Sequence, residues 1–227
     1  MLAAKAVSQF KTSGYVVIPG VIDPVLNRRL GAFVRGLVNA GAGSRRLLDE
    51  AWCRHLAGAL RGDARINSLL PRNALAVQCT LFDKSPAKNW LVALHQDLSI
   101  PVKEHVDGPE YAGWTEKEGE LYVQPPVSVL EQLVAVRVHI DDCPAENGAL
   151  RVVPKSHLEG RLNKEQAEAL RSQNGEIVVP VGCGGVLVMR PLLLHASSKA
   201  AHDPRRVLHF VFGRPKLPLG LEWRWAV

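Results

Sequence analysis

The chain has 227 residues, 47% of them hydrophobic, and a formal charge of +6. That apolar content fills one core, and no linker-like stretch divides the chain, so residues 1–227 read as a single domain. No apolar run approaches the roughly 20 residues that span a bilayer, the first 20 residues lack the order of a secretory signal, and the 28 Lys and Arg are dispersed among acids, as in "EKEGE". The expectation is a cytoplasmic protein with no membrane or nucleic-acid partner.

The chain begins helical. "AAKAVSQFKTSG" spaces Ala, Val and Phe with helical period and stops at Gly14, after which "YVVIPG" reads as a short strand. "DPVLNRRLGAFVRGLVNAG" follows as an amphipathic helix with Asp23 as N-cap, Pro24 in its first turn and Gly41 as the stop. From residue 74 the texture changes: "ALAVQCTLF", "NWLVALHQD", "QLVAVRVHID", "GALRVVP", "EIVVPV", "GVLVM", "LLLHAS" and "RVLHFVF" are short β-type runs separated by Pro, Gly and Asn. Only "NKEQAEALRSQ" interrupts the later ones with a helix. Strands without helical crossovers predict antiparallel sheets closing into a barrel or jelly roll, a mainly β domain with the helices of residues 1–73 packed against it. Residues 100–126 hold too many Pro and Gly for one regular element and read as a mobile loop over one end of the barrel. Cys53, Cys79, Cys143 and Cys183 show no C-x-x-C spacing and are expected to be buried free thiols.

Three H-x-D triplets occur where composition alone predicts roughly 0.3, and two of them end β-type runs, His95-Gln96-Asp97 and His139-Ile140-Asp141; the third, His105-Val106-Asp107, lies in the breaker-rich 100–126 segment. Alternation along a strand lets the His and Asp of either triplet project to one face, with Gln96 turned away from the first pair. An imidazole and a carboxylate make two thirds of the facial triad that holds non-haem Fe(II), and a second histidine from a distant strand completes it. His195 in "PLLLHASS" is the best candidate. Six β runs follow Asp97 and five follow Asp141, and Asp141 runs into "DCPAENG", a hairpin turn that its carboxylate could shape. These arguments favour the first pair without excluding the second.

"LFDKSPAKNWLVALHQDLSIPV", "GWTEKEG", "VQPPVSVL", "VRVHIDDCPAENGALRVVPKSH" and "GGVLVMRPLLLHASSKAAHDPRRVLHFVF" together resemble the phytanoyl-CoA dioxygenase family of Fe(II)/2-oxoglutarate oxygenases, from about Gln78 to Gly213, and "GYVVIPGVID" fits it too. The resemblance implies a double-stranded β-helix that uses Fe(II), 2-oxoglutarate and O2, with His95, Asp97 and His195 on the metal. His139 then becomes a neighbour lining the same cavity. The family also needs a cation for the distal carboxylate of 2-oxoglutarate. Arg206, eleven residues beyond His195, is similar to the family spacing, with Arg205 expected to point outward. Ser197, on the strand face of His195, and Gln78, seventeen residues before His95, are expected to contact the same cosubstrate.

What the resemblance implies for activity is hydroxylation of an unactivated C–H bond, because relatives that halogenate carry Gly or Ala where this chain has Asp97. Arg137 and His139, projecting together, and Trp114 in the 100–126 segment are the candidate substrate contacts and suggest a small polar or anionic metabolite, handled by a monomer or homodimer. Two other readings stay open: a cupin-like metal-binding protein or isomerase using the same ligands without 2-oxoglutarate, and a scaffold that keeps the fold and has lost the metal.

Overall fold

The computed structural model describes residues 2–37, 44–85, 89–201 and 203–227. It opens with α1 (Leu2–Ser13), which ends where Gly14 takes φ +84°. The strand β1 (Tyr15–Ile18) leads to α2 (Pro24–Leu37). Asp23 caps α2 as the sequence indicates, its Oδ1 accepting from the Val25 and Leu26 amides at 2.8 and 3.0 Å. Gly41, the expected stop, lies outside the described residues. A 3-10 turn at Leu47–Asp49 and the helices α3 (Ala51–Gly62) and α4 (Ala64–Asn67) complete the helical layer.

The remaining chain is mainly strand: β2 (Leu75–Lys84), β3 (Val92–His95), β4 (Ile100–Val102), β5 (Ala112–Lys117), β6 (Glu120–Gln124), β7 (Val134–His139), β8 (Leu150–Val152), β9 (Ile177–Val179), β10 (Val186–Met189), β11 (His195–Ser197) and β12 (Arg205–Gly213). Two helices interrupt it, α5 (Val127–Leu130) and α6 (Lys164–Asn174), the latter opened by a capping box from Asn163 and Gln166. A five-stranded sheet runs β1-β10-β7-β12-β2, and a four-stranded sheet runs β3-β11-β8-β9. Every strand pairing is antiparallel. The result is the jelly roll that the strand pattern predicts.

The period-two rule sorts the large sheet into two faces. Val134, Val136 and Val138 of β7, Val186 and Val188 of β10, and Leu208, Phe210 and Phe212 of β12 pack outward against Phe10, Leu30, Val34 and Leu56 of the helical layer. The alternate residues face the second sheet. There Ala135, Leu187 and Met189 meet Leu150, Val152 and Val179, which closes the far part of the barrel with apolar contact. Nearer β3, the inward positions turn polar: Arg137 and His139 on β7, Arg205 and His209 on β12, and Thr80 and Lys84 on β2 are all buried.

Residues 100–126, expected as one mobile loop, hold three strands besides the irregular segment 103–111. They form a third sheet, β4-β6-β5, and the breakers sit where strands tolerate them. Pro101 lies in an edge strand. Gly113, at φ +58°, lies in the irregularity between Ala112 and Thr115. Glu118 and Gly119, both at positive φ, make the two-residue turn that suits a twisted hairpin. The C-terminal segment pins this sheet: Val102 bridges Trp223, the Tyr111 hydroxyl donates to the Leu219 carbonyl at 2.8 Å, and Arg224 pairs with Glu120 at 2.5 Å. Ile100, Val102, Val123, Leu221 and Trp223 form one buried cluster beneath it. A sheet held in this way is expected to be a fixed wall, so limited proteolysis should cleave residues 100–126 at the same rate with and without metal and 2-oxoglutarate. A several-fold protection by ligands would restore the mobile-loop expectation.

Of the four cysteines, Cys53, Cys79 and Cys143 are buried free thiols, whereas Cys183 is exposed. Among the described residues no helix is long and apolar enough to cross a membrane.

Candidate active site

Strand pairing settles which H-x-D triplet joins His195. β3 and β11 are antiparallel neighbours with His95 opposite His195, and the two ring centroids lie 4.2 Å apart. Asp97 follows just beyond β3, its amide donating to the Pro191 carbonyl at 2.9 Å. Gln96, between them, points away and is buried, its amide bonded to the Gly160 and Leu192 carbonyls and to the Leu162 amide. One ligand atom from each of His95, Asp97 and His195 lies within 4.8 Å of the others. No other such group of three occurs among the described residues. Asp141 is elsewhere, on the outer face.

Hydrogen bonds fix which nitrogens face that centre. Nδ1 of His95 and Nδ1 of His195 each lie 2.8 Å from a backbone carbonyl, those of Ala93 and Leu193. A carbonyl only accepts, so both Nδ1 atoms carry the proton and both Nε2 lone pairs are free. Those Nε2 atoms sit 3.6 and 3.7 Å from the Asp97 carboxylate oxygens. With both imidazoles neutral, three electron-pair donors converge, an arrangement that a divalent cation satisfies; without one, burial lowers the His95 pKa but the Asp97 carboxylate beside it raises it further. Burial holds His195 neutral, its pKa lowered to about 4 against the opposing pull of Asp97. For Asp97 burial pushes upward, but the imidazoles of His195, His95 and His209 outweigh it and hold the carboxyl well below the usual range.

His209 was not legible as a site residue. Its Nε2 is 3.7 Å from Asp97, and its Nδ1 lies 2.9 Å from Arg137 Nη1. A guanidinium only donates, so Nδ1 accepts and Nε2 bears the hydrogen. His209 therefore presents a proton to the centre and is a neighbour of the carboxylate, not a fourth ligand.

Behind His209 the barrel interior is cationic. Lys84 donates from Nζ to Ser197 Oγ and the Ser198 carbonyl, both at 3.0 Å, and Arg205 donates from Nη1 to the Gly148 carbonyl. Arg137, Lys84 and Arg205 form no ion pair with a carboxylate among the described residues, and Nε of Arg137, Nε of Arg205 and both ring nitrogens of His139 are buried without partners. Burial, with Arg205 and Arg137 nearby, lowers Lys84 to about 7, and burial with the same two arginines lowers His139 to about 3. Charged groups are not left this way unless something anionic joins them.

In front of the triad a cavity of about 320 Å³ opens between β2 and the third sheet, with Gln78, Thr80, Phe82 and His209 on its barrel side and Lys117 and Tyr122 on its outer side.

A model of the phytanoyl-CoA dioxygenase family matches residues 10–207. The chain belongs to the phytanoyl-CoA dioxygenase family. Among curated protein sequences none matches it significantly. Solved structures with the same fold include the non-heme alpha ketoglutarate dependent epimerase SnoN from nogalamycin biosynthesis, at TM-score 0.71 and 18% identity over 94% of this chain and 83% of that one. EctD from S. alaskensis aligns at TM-score 0.69 and 18% identity, covering 98% of this chain and 82% of its own. The carbocyclase SnoK, also from nogalamycin biosynthesis, aligns at 0.66 and 16% over 95% and 88%. This member of the family thus has an Fe(II)/2-oxoglutarate oxygenase-type fold, and its residues fit both groups: the converging lone pairs suit the metal, and the acid-free cation cluster suits a dicarboxylate.

The remaining sequence expectations divide. Gln78 lines the cavity, bonded to Thr80 Oγ1 at 3.2 Å, and Ser197 is buried beside Lys84. Arg206 and Arg205 are reversed. Arg206 shares the parity of Leu208 and Phe210, faces α2, and pairs with Asp141 through Nε and Nη2 at 2.8 and 2.6 Å, whereas Arg205 shares the parity of Val207 and His209 and enters the barrel. Arg137 and His139 do face inward, but both are buried and neither lines the cavity. Trp114 is also absent from its lining, because its ring packs on His105 at 4.1 Å and Tyr111 at 6.1 Å.

Proposed function

We propose that this protein is an Fe(II)- and 2-oxoglutarate-dependent dioxygenase that hydroxylates an unactivated C–H bond of a small polar or anionic metabolite. The observation that carries the reading is the juxtaposition of three converging donors, His95, Asp97 and His195, with a buried cation cluster that pairs with no carboxylate among the described residues. A cupin-like metal protein has no need of Lys84, Arg137 and Arg205 inside its barrel. The solved relatives support the cosubstrate: EctD has been crystallised with Fe and with 2-oxoglutarate and 5-hydroxyectoine, and SnoN with Fe3+ and alpha ketoglutarate.

In this reading His95, Asp97 and His195 would hold Fe(II) beside the cavity. Fe(II) there would supply the redox chemistry that couples decarboxylation of 2-oxoglutarate by O2, to succinate and CO2, with oxidation of a substrate C–H bond. The chain's own groups do the positioning. Arg205, through its unpartnered Nε–H, and Lys84, with Ser197 of β11 beside it, would receive the distal carboxylate. Arg137 fixes the His209 tautomer so that Nε2–H stays directed at the Asp97 carboxylate. Phe82, under the Arg137 guanidinium at 5.3 Å, lines the cavity.

The test is turnover: Fe(II) should support conversion of 2-oxoglutarate to succinate, and Zn(II) should not. Because the fold also carries an epimerase and a carbocyclase, product analysis with 18O2 separates hydroxylation, which retains one labelled oxygen in the product, from the other outcomes.

Lys84 gives this reading a pH signature. Its cation persists below its pKa of about 7 and is lost above it, so 2-oxoglutarate should bind more weakly as pH rises from 6 to 8.5. Lys84→Met should bind it weakly across that range and without this slope, measured by anaerobic titration of the metal-loaded protein. A wild-type affinity that is flat or rises with pH would remove Lys84 from the cosubstrate site.

A further inference from the structure

The cavity in front of the triad has a cation of its own. Lys117, the last residue of β5, lines it, is half-buried, and forms no ion pair among the described residues. Its Nζ lies over the Tyr122 ring, 4.7 Å from the centroid. The other cation of the lining, Arg45, is already neutralised, since Glu118 accepts from its backbone amide at 2.8 Å and its Nη1 at 2.6 Å. Tyr122 is 2% exposed, and its hydroxyl has no hydrogen-bond partner. Burial raises that phenol to about 12, so it stays a neutral donor.

The direction in which Lys117 acts is set by what surrounds it. Burial and Arg45 disfavour its charge, and the group that favours it is Asp97, across the cavity. A divalent cation on Asp97 cancels that attraction. In the metal-loaded protein the ammonium then faces a cavity whose remaining polar lining, Gln78, Thr80 and Gln124 among it, is neutral. An ammonium held only by a ring face, and a phenol without a hydrogen-bond partner, cost more in such a place than they contribute unless an anionic oxygen group joins them.

Resting on the proposed oxygenase reading, we propose that Lys117 and the Tyr122 hydroxyl form an anion subsite at the outer wall of the cavity, which holds a carboxylate or phosphate ester of the substrate. The cavity volume, about 320 Å³, lies at the small end of ligand pockets, so the occupant is a small acid. Its charged end sits on the third sheet and its reacting carbon reaches back toward His95 and Asp97. With the third sheet held by the C-terminal segment, the reach of Lys117 across the cavity selects which carbon is presented to His95 and Asp97. Neither Arg137 nor His139, the contacts expected from the sequence, takes part.

Matched probes test this in the full-length protein loaded with Fe(II) and 2-oxoglutarate under anaerobic conditions: pentanoate against pentanamide, glutarate against glutaramide, and butyl phosphate against butanol, read by calorimetry. At least one acid should bind about ten-fold or more tightly than its neutral partner. Lys117→Gln should remove that preference at an unchanged melting temperature, Lys117→Arg should keep it, and Tyr122→Phe should weaken the acids alone. A carboxylate or a phosphate preference identifies which anion the subsite takes. Equal binding of acid and neutral partners, an acid preference that survives in Lys117→Gln, or no acid bound at all overturns the proposal. The same titrations with Zn(II) and no 2-oxoglutarate separate the two ideas: an acid preference dependent on Lys117 there, in a protein that fails to bind 2-oxoglutarate, upholds the subsite and rejects the oxygenase.

Discussion

Replacing Arg205 with alanine is expected to weaken 2-oxoglutarate binding by about 100-fold or more, the usual consequence of leaving a buried carboxylate without its guanidinium. Its neighbour behaves differently. Arg206→Ala removes a bidentate pair with Asp141 on the outer face, where the two side chains are 16% and 21% exposed. Cosubstrate affinity should therefore change little, while stability falls by about 1–3 kcal/mol and the melting temperature by a few degrees. Isothermal titration with 2-oxoglutarate and a thermal melt of both variants separate the roles. Equal effects on binding would show that β12 is one residue out of register.

The second large effect concerns the metal. Asp97→Ala and His195→Ala should each lower Fe(II) affinity by more than about 100-fold, because each removes one of three converging donors. His139→Ala should retain stoichiometric iron, since both ring nitrogens of His139 lie behind the site and bond to nothing. Metal content after gel filtration decides it: iron lost from His139→Ala and kept by Asp97→Ala would mean that the metal sits with the other triplet.

The physical reasons for what the sequence shows, and hides, differ from residue to residue. The jelly roll is legible because its strands are short apolar runs cut by Pro, Gly and Asn. The ligands are legible only as two rival triplets, since composition says nothing about β3 lying beside β11. Arg205 was within reach: along "RRVLHFVF" the bulky Leu208, Phe210 and Phe212 alternate with Val207, His209 and Val211, and extending that parity backwards turns Arg205 inward. The family-like spacing from His195 points instead to Arg206. Lys84 follows Gln78, Thr80 and Phe82 at the same parity but reads as surface charge beside Asp83. The third sheet was obscured by its Pro and Gly content, and what holds it, the contact with Trp223 and Arg224, joins segments more than 100 residues apart in the chain. His209 carries no motif at all; its place beside Asp97 depends on β12 lying next to β7 and on the hydrogen bond from Arg137.

The oxygenase reading stands on coupled occupancy of the triad and the cation cluster. Anaerobic equilibrium dialysis of the metal-free protein against Fe(II) and isotopically labelled 2-oxoglutarate measures both at once. One iron and one 2-oxoglutarate per chain, with the second dependent on the first and lost in Arg205→Ala, is the expected result. Tight metal binding with no 2-oxoglutarate retained at any iron concentration would contradict it and return the protein to the cupin-like class.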